Sequence, residues 1–295
     1  FLVKATLAVC GTFAVVYAGL VFINNRNVAP TEQSRVRGSF AAAVDWLSVN
    51  RQQILQQNNV ALWWMIQRSA EISRNPRLGS LFEEYRARYL ERGRNIWRPM
   101  FYPGRWVVVE SNDAAEFDDY QLHFLYAINC DPELATRPLI LAQLDPSYCD
   151  AHLLRPACAT HQLMGLRFMQ RARCGDPRAT EDAIRQLQTR VSRQLTWDPR
   201  VVDVYLQRVL MLTESGAGDA VKPVWLERIL EAQQEDGGWA AIDSVMSFMD
   251  GKLSIGFDAR GVTFQRPESD FHATAQGLLL MSHLLVDSSE TGTSD

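Results

Sequence analysis

The sequence has no excess of either charge: 30 basic residues stand against 34 acidic ones in 295, a net charge of −4 with histidine neutral. No global field recruits nucleic acid, and none is expected as a partner. Glycine (17) and proline (12) are too sparse for a collagen-like or low-complexity chain. The glycine-rich phosphate loop is missing, as are H-E-x-x-H and G-x-S-x-G, so no P-loop, zincin or hydrolase nucleophile is indicated. Nothing points to a haem, a flavin or a nucleotide, and no cofactor is expected. Period-two alternation is scarce, which leaves a strand-rich fold little room. What remains is 47% hydrophobic and 22% charged, the balance of a folded chain long enough to bury a core without metals or disulfides.

The one long apolar run stands at the start. Ala5 to Ile23 carries no charge; its polar side chains are Thr6 and Thr12, and its aromatic ones Phe13, Tyr17 and Phe22. As a helix it covers roughly 28 Å, about the hydrocarbon thickness of a bilayer. Lys4 precedes it, and Asn24, Asn25 and Arg26 close it. A cleavable signal peptide has a shorter apolar region, about 7–15 residues, and Val16-Tyr17-Ala18 is a poor small-x-small site. Residues 1–26 therefore read as a transmembrane anchor in contact with lipid, and 27–39, polar and with Pro30, as a linker. Lys4 on one side against Arg26, Arg35 and Arg37 on the other leaves orientation to be argued from elsewhere.

The cysteines offer that argument. Cys10 lies in the apolar run, while Cys130, Cys149, Cys158 and Cys174 cluster within 45 residues. An even, clustered set is what an oxidising compartment produces, and four cysteines allow three pairings. Free structural thiols are one alternative. A metal is another: Cys149-Asp-Ala-His152 and Cys158-Ala-Thr-His161 are successive C-x2-H units whose two thiolates and two imidazoles suit tetrahedral zinc. The disulfide reading implies an extracytoplasmic domain, expected in the periplasm of a bacterial inner-membrane protein.

Beyond the linker the chain reads as helix after helix, an all-α fold. Apolar residues at three- and four-residue spacing predict helices over 41–55, 60–72, 81–90, 118–129, 134–144, 151–173, 180–195, 200–214, 221–234 and 270–286. Residues 99–109 predict an irregular turn and a short extended piece. Four helix starts look alike: Asp119-Tyr-Gln-Leu-His, Thr160-His-Gln-Leu-Met, Asp203-Val-Tyr-Leu-Gln and His272-Ala-Thr-Ala-Gln. The first three begin 41 and 43 residues apart, the length of one antiparallel helix pair. The expected divisions are a helical region over 40–110, a helical-hairpin repeat domain over 111–287, and a flexible tail over 288–295.

Glu231-Ala-Gln-Gln-Glu-Asp-Gly-Gly-Trp239 resembles the QW motif of the α/α-toroid superfamily, that of the terpenoid cyclases and protein prenyltransferases. The stretch Asp270-Phe-His-Ala-Thr-Ala-Gln-Gly-Leu resembles the start of that superfamily's following inner helix. The resemblance covers Trp225 to Leu285 and implies an incomplete α/α toroid, with Gln233, Asp236, Gly237, Gly238 and Trp239 as fold-building residues. A glutamine can satisfy backbone groups at a helix end, glycines accept positive φ, and the tryptophan packs back over the hairpin. The superfamily's catalytic signatures do not transfer. Its D-x-D-D acid has only Glu116-Phe-Asp118-Asp119 as a counterpart, an acidic helix start that the helix dipole favours by itself. Its zinc site would take Asp243 and His272, but Val245 stands where the cysteine is expected.

Two functions are compatible with these readings. One is a membrane-anchored helical-repeat scaffold or accessory subunit of an envelope complex, holding other subunits through its loops or concave surface. The long segment Gly251–Ser269 is its expected contact region, with Gly256, Phe257, Arg260, Phe264 and Arg266 as partner-binding candidates. The other is a membrane-surface enzyme acting on an isoprenoid or lipid through Asp118, Asp119, Asp243 and His272. The discriminator is the centre of the fold, a deep apolar pocket with convergent acids or a filled core. His123, His161 and His272 recur near helix starts, as cavity-lining or as packed residues. Trp63-Trp64 and Trp97 with Trp106 are core or an aromatic cage, and Arg86, Arg88, Arg92, Arg94 and Arg98 a solvated face or a contact for acidic groups.

Overall fold

The computed structural model describes residues 2–110, 117–151, 155–248 and 253–290. The chain is mostly helical: α1 (Leu2–Asn25), α2 (Gln33–Val49), α3 (Arg51–Ile54), α4 (Val60–Ser73), α5 (Pro76–Tyr85, continued by a π-turn Arg86–Leu90), α6 (Arg98–Phe101) and α7 (Asp119–Asn129). Then come α8 (Pro132–Ala135), α9 (Pro138–Gln143), α10 (Cys158–Ala172), α11 (Pro177–Trp197), α12 (Asp203–Glu214), α13 (Pro223–Glu231) and α14 (Phe271–Glu290). Side chains are described in α1 from Gly11 onward except Phe13, and in α14 as far as Val286. Among the described residues no helix is long and apolar enough to cross a membrane.

A recurrent turn builds the hairpins. Arg74, Cys130 and Arg173 end α4, α7 and α10 in the left-handed conformation. An Asx-Pro pair soon comes after each: Asn75-Pro76, Asp131-Pro132 and Asp176-Pro177. The Asx oxygen accepts a backbone N–H two or three residues on, at 2.9–3.0 Å for Arg77, Glu133 and Ala179. Proline occupies the first helical position, where no N–H is needed. One helix is thus stopped and its return helix started within a few residues.

Five helices run parallel, and α7, α10, α12, α14 and α4 neighbour one another in that order. The return helices flank them: α11 against α10 and α12, α2 against α14, α5 against α4, and α13 between α12 and α2. α14 is buried on every side, with Ala273, Ala275 and Leu278 to Met281 fully covered together with the polar Thr274, Gln276 and Ser282, as a helix enclosed by α2, α4 and α12 must be. In the middle Phe168 meets Trp64 and Phe124 edge to face, with ring centroids 5.0 and 5.3 Å apart. Residues 40–110 pack against the C-terminal helix, because α14 lies on α2 and α4.

Two other expected boundaries move. Helix α2 starts at Gln33, because Val36, Ser39, Phe40, Ala43, Val44 and Leu47 already form a buried stripe; the linker is the shorter stretch 26–32. Helix α14 continues through Glu290, into the expected tail. The glycine-rich insertion is not a loop either. β2 (Asp243–Phe248), β3 (Leu253–Phe257) and β4 (Val262–Thr263) form an antiparallel meander, while β1 (Trp239–Ala240) pairs with β5 (Ser269–Asp270). A bulge between Ser244 and Met246 shifts the two-residue period, so the alternation that would announce β2 is broken in its middle.

The tryptophan motif acts as a clamp. Gln233 Nε2 donates to Ser39 O (2.9 Å) and Gly237 O (2.7 Å), tying α2 to the turn instead of capping its own helix. Asp236 accepts from Trp46 Nε1 (3.1 Å), Ser269 Oγ (2.6 Å) and Gly238 N (3.1 Å). Gly237 has φ +93°, and a Cβ there would lie 2.4 Å from Ala42 O. Gly238 answers a need for space rather than for positive φ, since its Cβ would meet Ser269 Cβ at 2.5 Å. Trp239 is fully buried, donates to Ile229 O (2.8 Å) and lies across Gly277 of α14.

Two disulfides staple the helices. Cys130–Cys174 joins the C-terminal ends of α7 and α10; Cys149–Cys158 joins the turn Tyr148–Ala151 to the start of α10. This overturns the zinc set of Cys149, His152, Cys158 and His161, whose two thiolates are spent on each other. His152 lies outside the described residues, among which no group of side chains could hold a metal ion.

Candidate functional site

The N-terminal ends of α7, α10, α12 and α14 meet around a cleft of about 460 Å³. Asp118 starts α7 through a capping box, its N–H bonded to Gln121 Oε1 at 3.0 Å, so it serves the helix as an acidic start should. Asp119, one residue on, points across to the segment before α10. Its Oδ2 accepts from Arg155 Nη1 (2.7 Å) and Tyr148 Oη (3.3 Å). Burial, then the nearby Asp119 carboxylate, raises the Tyr148 phenol above its ordinary value.

From α12, Asp203 Oδ2 lies 3.4 Å from His272 Nδ1 of α14, and His272 Nε2 lies 3.3 Å from Gln276 Nε2. From α10, His161 stacks on Tyr120, ring centroids 4.5 Å apart. Burial, and next the positive charge His272 can carry, lower the His161 pKa to about 4, with Asp203 opposing. His161 is thus a neutral imidazole at physiological pH, an acceptor or donor but not a cation. Beneath the cleft Thr160 Oγ1 donates to Gln207 Oε1 at 2.6 Å. The arrangement can hydrogen-bond a polar ligand and pass a proton between a carboxylate and an imidazole.

The meander covers one side of the cleft. Asp258 Oδ1 accepts the N–H groups of Arg260 (2.7 Å) and Gly261 (2.8 Å), and its carbonyl faces Arg200 Nη1 at 3.4 Å. The tight turn so fixed places Ala259 and Arg260 in the cleft wall.

Asp118, Asp119, His161, His272 and Arg260, read separately along the chain, thus come together. Asp243 does not join them: its Oδ2 accepts the Val201 N–H at 2.9 Å, tying β2 to the start of α12. Gly256 faces the Asp243 carbonyl across β3 and β2, where a Cβ would stand 2.1 Å away, and Phe257 pairs in register with Asp243. Phe264 is exposed, and Arg266 lines a separate cleft of about 790 Å³ beside Trp46 and Asp236.

His123 points into the protein. It is fully buried against Gly165, neither ring nitrogen has a partner among the described residues, and burial lowers its pKa to about 3. Trp63 stacks on Tyr85 in the core (4.4 Å) rather than forming a cage, whereas Trp106 is exposed. Sequence reading missed Asp203, Tyr148 and Arg155. Asp203 carried a usable signal, because it opens one of the four similar helix starts, the same position as Asp119.

No known family, no curated protein and no solved structure matches this chain.

Proposed function

We propose that the chain is a membrane-anchored helical module of a cell envelope, built as an incomplete α/α toroid, that holds a protein partner through its β-meander. The observation that carries this reading is the apolar surface of the meander. Val245, Met246, Val262 and Phe264 are each more than half exposed on or beside a short sheet that is otherwise fixed to the helices. Exposed apolar side chains on a short, firmly seated sheet suit a protein interface. The two disulfides support an oxidising compartment for the domain. Anchoring by α1 rests on its apolar composition, and lipid is its partner there. Tyr17, Asn24 and Asn25 bond Trp197 O (2.5 Å), Leu195 O (2.6 Å) and Thr196 O (2.8 Å), so the end of α1 is tied to the end of α11. The rings of Trp64, Phe124 and Phe168 packed between the parallel helices support a scaffold over an enzyme that must enclose an isoprenoid.

A photocrosslinking residue at Phe264 tests the reading in intact cells. One discrete adduct is expected, absent when the crosslinker replaces exposed Arg178 and abolished by Val262→Asp. An adduct indifferent to Val262→Asp overturns it.

One observation favours a second reading, an enzyme acting on a lipid-linked or other polar substrate. Asp203 and His272 lie in contact within a cleft that also holds Asp119 and a neutral His161. Asp203→Asn and His272→Gln would then reproduce the cellular defect of a deletion while the Phe264 adduct persists.

A further inference from the structure

Beside the cleft, and sharing Arg155, Pro156, Cys158, Ala259 and Arg260 with it, lies a second cavity of about 610 Å³. Its wall carries six arginines, Arg155, Arg190, Arg193, Arg200, Arg208 and Arg260, and a single carboxylate, Asp150. Five of them come from three places besides the segment of Arg155. Arg190 and Arg193 stand one turn apart on α11, Arg200 lies in the connection before α12 and Arg208 in its second turn, and Arg260 is brought by the meander turn.

Several of these guanidinium groups are positioned by acids. Asp198 binds Arg200 in bidentate fashion (2.7 and 2.8 Å) and reaches Arg208 Nη1 at 2.8 Å. Asp150 accepts from Arg190 at 2.8 Å and Asp119 from Arg155 at 2.7 Å. The residual donors are the informative part. Arg208 is only 4% exposed, yet its Nε is buried with no partner among the described residues. Buried to that degree, the Nε–H does not face the cavity, and the donors a ligand can reach belong to the exposed arginines. Arg193 and Arg260 are exposed, and no described carboxylate is bonded to either guanidinium.

We propose that this cavity binds a ligand bearing a phosphoryl group, of the diphosphate or phosphomonoester kind. Guanidinium forks match the paired oxygens of a phosphoryl group, whose charge of about −2 suits a wall with more arginines than acids. The volume suits a whole ligand rather than a lone ion. Two sources supply the chemistry. The cavity is lined by Gln194, and the next three carbonyls of α11 receive the bonds from α1, so that, on the proposed reading of α1 as a membrane anchor, a lipid headgroup is a source beside a soluble phosphate. The inference does not depend on the meander binding a partner.

Calorimetric titration of the full chain in detergent micelles, at low salt, tests it with three probes: sodium pyrophosphate, a short-chain phosphatidic acid, and a short-chain phosphatidylcholine. Binding of pyrophosphate, weakened about tenfold or more by Arg193→Gln with Arg260→Gln but less than twofold by the exposed control Arg178→Gln, establishes a soluble phosphate ligand. Binding confined to phosphatidic acid, with the same response to the variants, establishes a lipid headgroup. Heat from neither phosphate probe overturns the proposal, as does binding that the double variant leaves intact or that phosphatidylcholine reproduces. Both replaced residues are exposed, so loss of binding is separable from loss of fold by a melting curve that matches the native one.

Discussion

At the C-terminal ends of the parallel helices one buried carboxylate, Glu214, serves His283 at 2.6 Å and Arg68 at 3.8 Å, with Arg167, Arg171 and the exposed Glu71 close by. At the N-terminal ends Asp118, Asp119, Asp203, His161 and His272 surround an open cleft and meet solvent. Both ends use carboxylates, imidazoles and guanidinium groups. The difference is burial. Glu214 is nearly inaccessible, its side chain 3% exposed, whereas the Asp119–Arg155 pair is about half exposed on both sides. Burial raises the Glu214 pKa, but the His283 hydrogen bond and the charges of His283, Arg68 and Arg167 outweigh it and hold the carboxyl below its ordinary value. A charge pair in that setting is a structural commitment, while an exposed pair of the same composition is free to exchange partners. The closed end holds the helices together, and the open end keeps its side chains available.

Substitutions can break this contrast. Glu214→Ala should have the largest effect, about 3–5 kcal/mol lost in denaturant unfolding, because it strands His283 and removes the buried carboxylate near Arg167, while Arg68 keeps only Glu71 at 3.5 Å among the described residues. A loss below about 1 kcal/mol would mean that the buried cluster relaxes to solvent and the two ends do not differ. Next come the staples. The loop-entropy relation gives about 4 kcal/mol for Cys130–Cys174, which closes a separation of 44, and about 2.6 kcal/mol for Cys149–Cys158, which closes 9. Paired Cys→Ser variants should therefore rank in that order, and the reverse ranking would make the cleft end the better-secured one.

The pH dependence sharpens the contrast further. His123 is buried and neutral, with a folded pKa of about 3 against about 6.5 when unfolded. The unfolded chain takes up the proton first, so this contribution is complete above about pH 6.5 and is lost as pH falls toward 3. Between pH 7 and pH 5 the loss is about 2 kcal/mol, and His123→Leu should remove it while holding or raising stability at pH 7. A melting-temperature slope unchanged by that substitution would place the acid sensitivity elsewhere. Glu214 contributes at lower pH, its stabilisation lost as pH falls through its depressed pKa. The smallest effect is expected at the open end: Asp119→Asn should shift stability by less than about 1 kcal/mol, since Arg155 remains solvated. A larger loss would show that the cleft is structural rather than available.

The helices were legible because their signals are local. Buried residues recur at three and four, and Asn or Asp before Pro marks where return helices begin. The similar starts at Asp119, Thr160, Asp203 and His272 revealed which helices run the same way, and Trp239 with its glycines marked the clamp that closes a hairpin. The meander was not legible, because the bulge at Ser244 and Met246 breaks its alternation. Asp243 looked like a site acid, but its neighbour in space, the Val201 N–H, lies 42 positions away in the chain. The basic cavity was hidden for the same reason. Arg155, Arg193 and Arg260 are unremarkable in their own segments, and the basic cluster that sequence does display, near Arg86 and Arg94, pairs with Glu83 and Glu110 on the surface.

Composition and periodicity by themselves determined a mostly helical chain, the place of its main helices though not every start, since α2 begins at Gln33 and α10 at Cys158 instead of 41 and 151, and four cysteines close enough to pair. These rest on short-range physics: backbone hydrogen bonds, caps and the apolar stripe along each helix. The tertiary structure alone decided which cysteines join, which carboxylate is buried and which stays open, and that six arginines share one cavity. Each of those depends on packing between segments far apart in the chain, and on how much water that packing excludes around a charge.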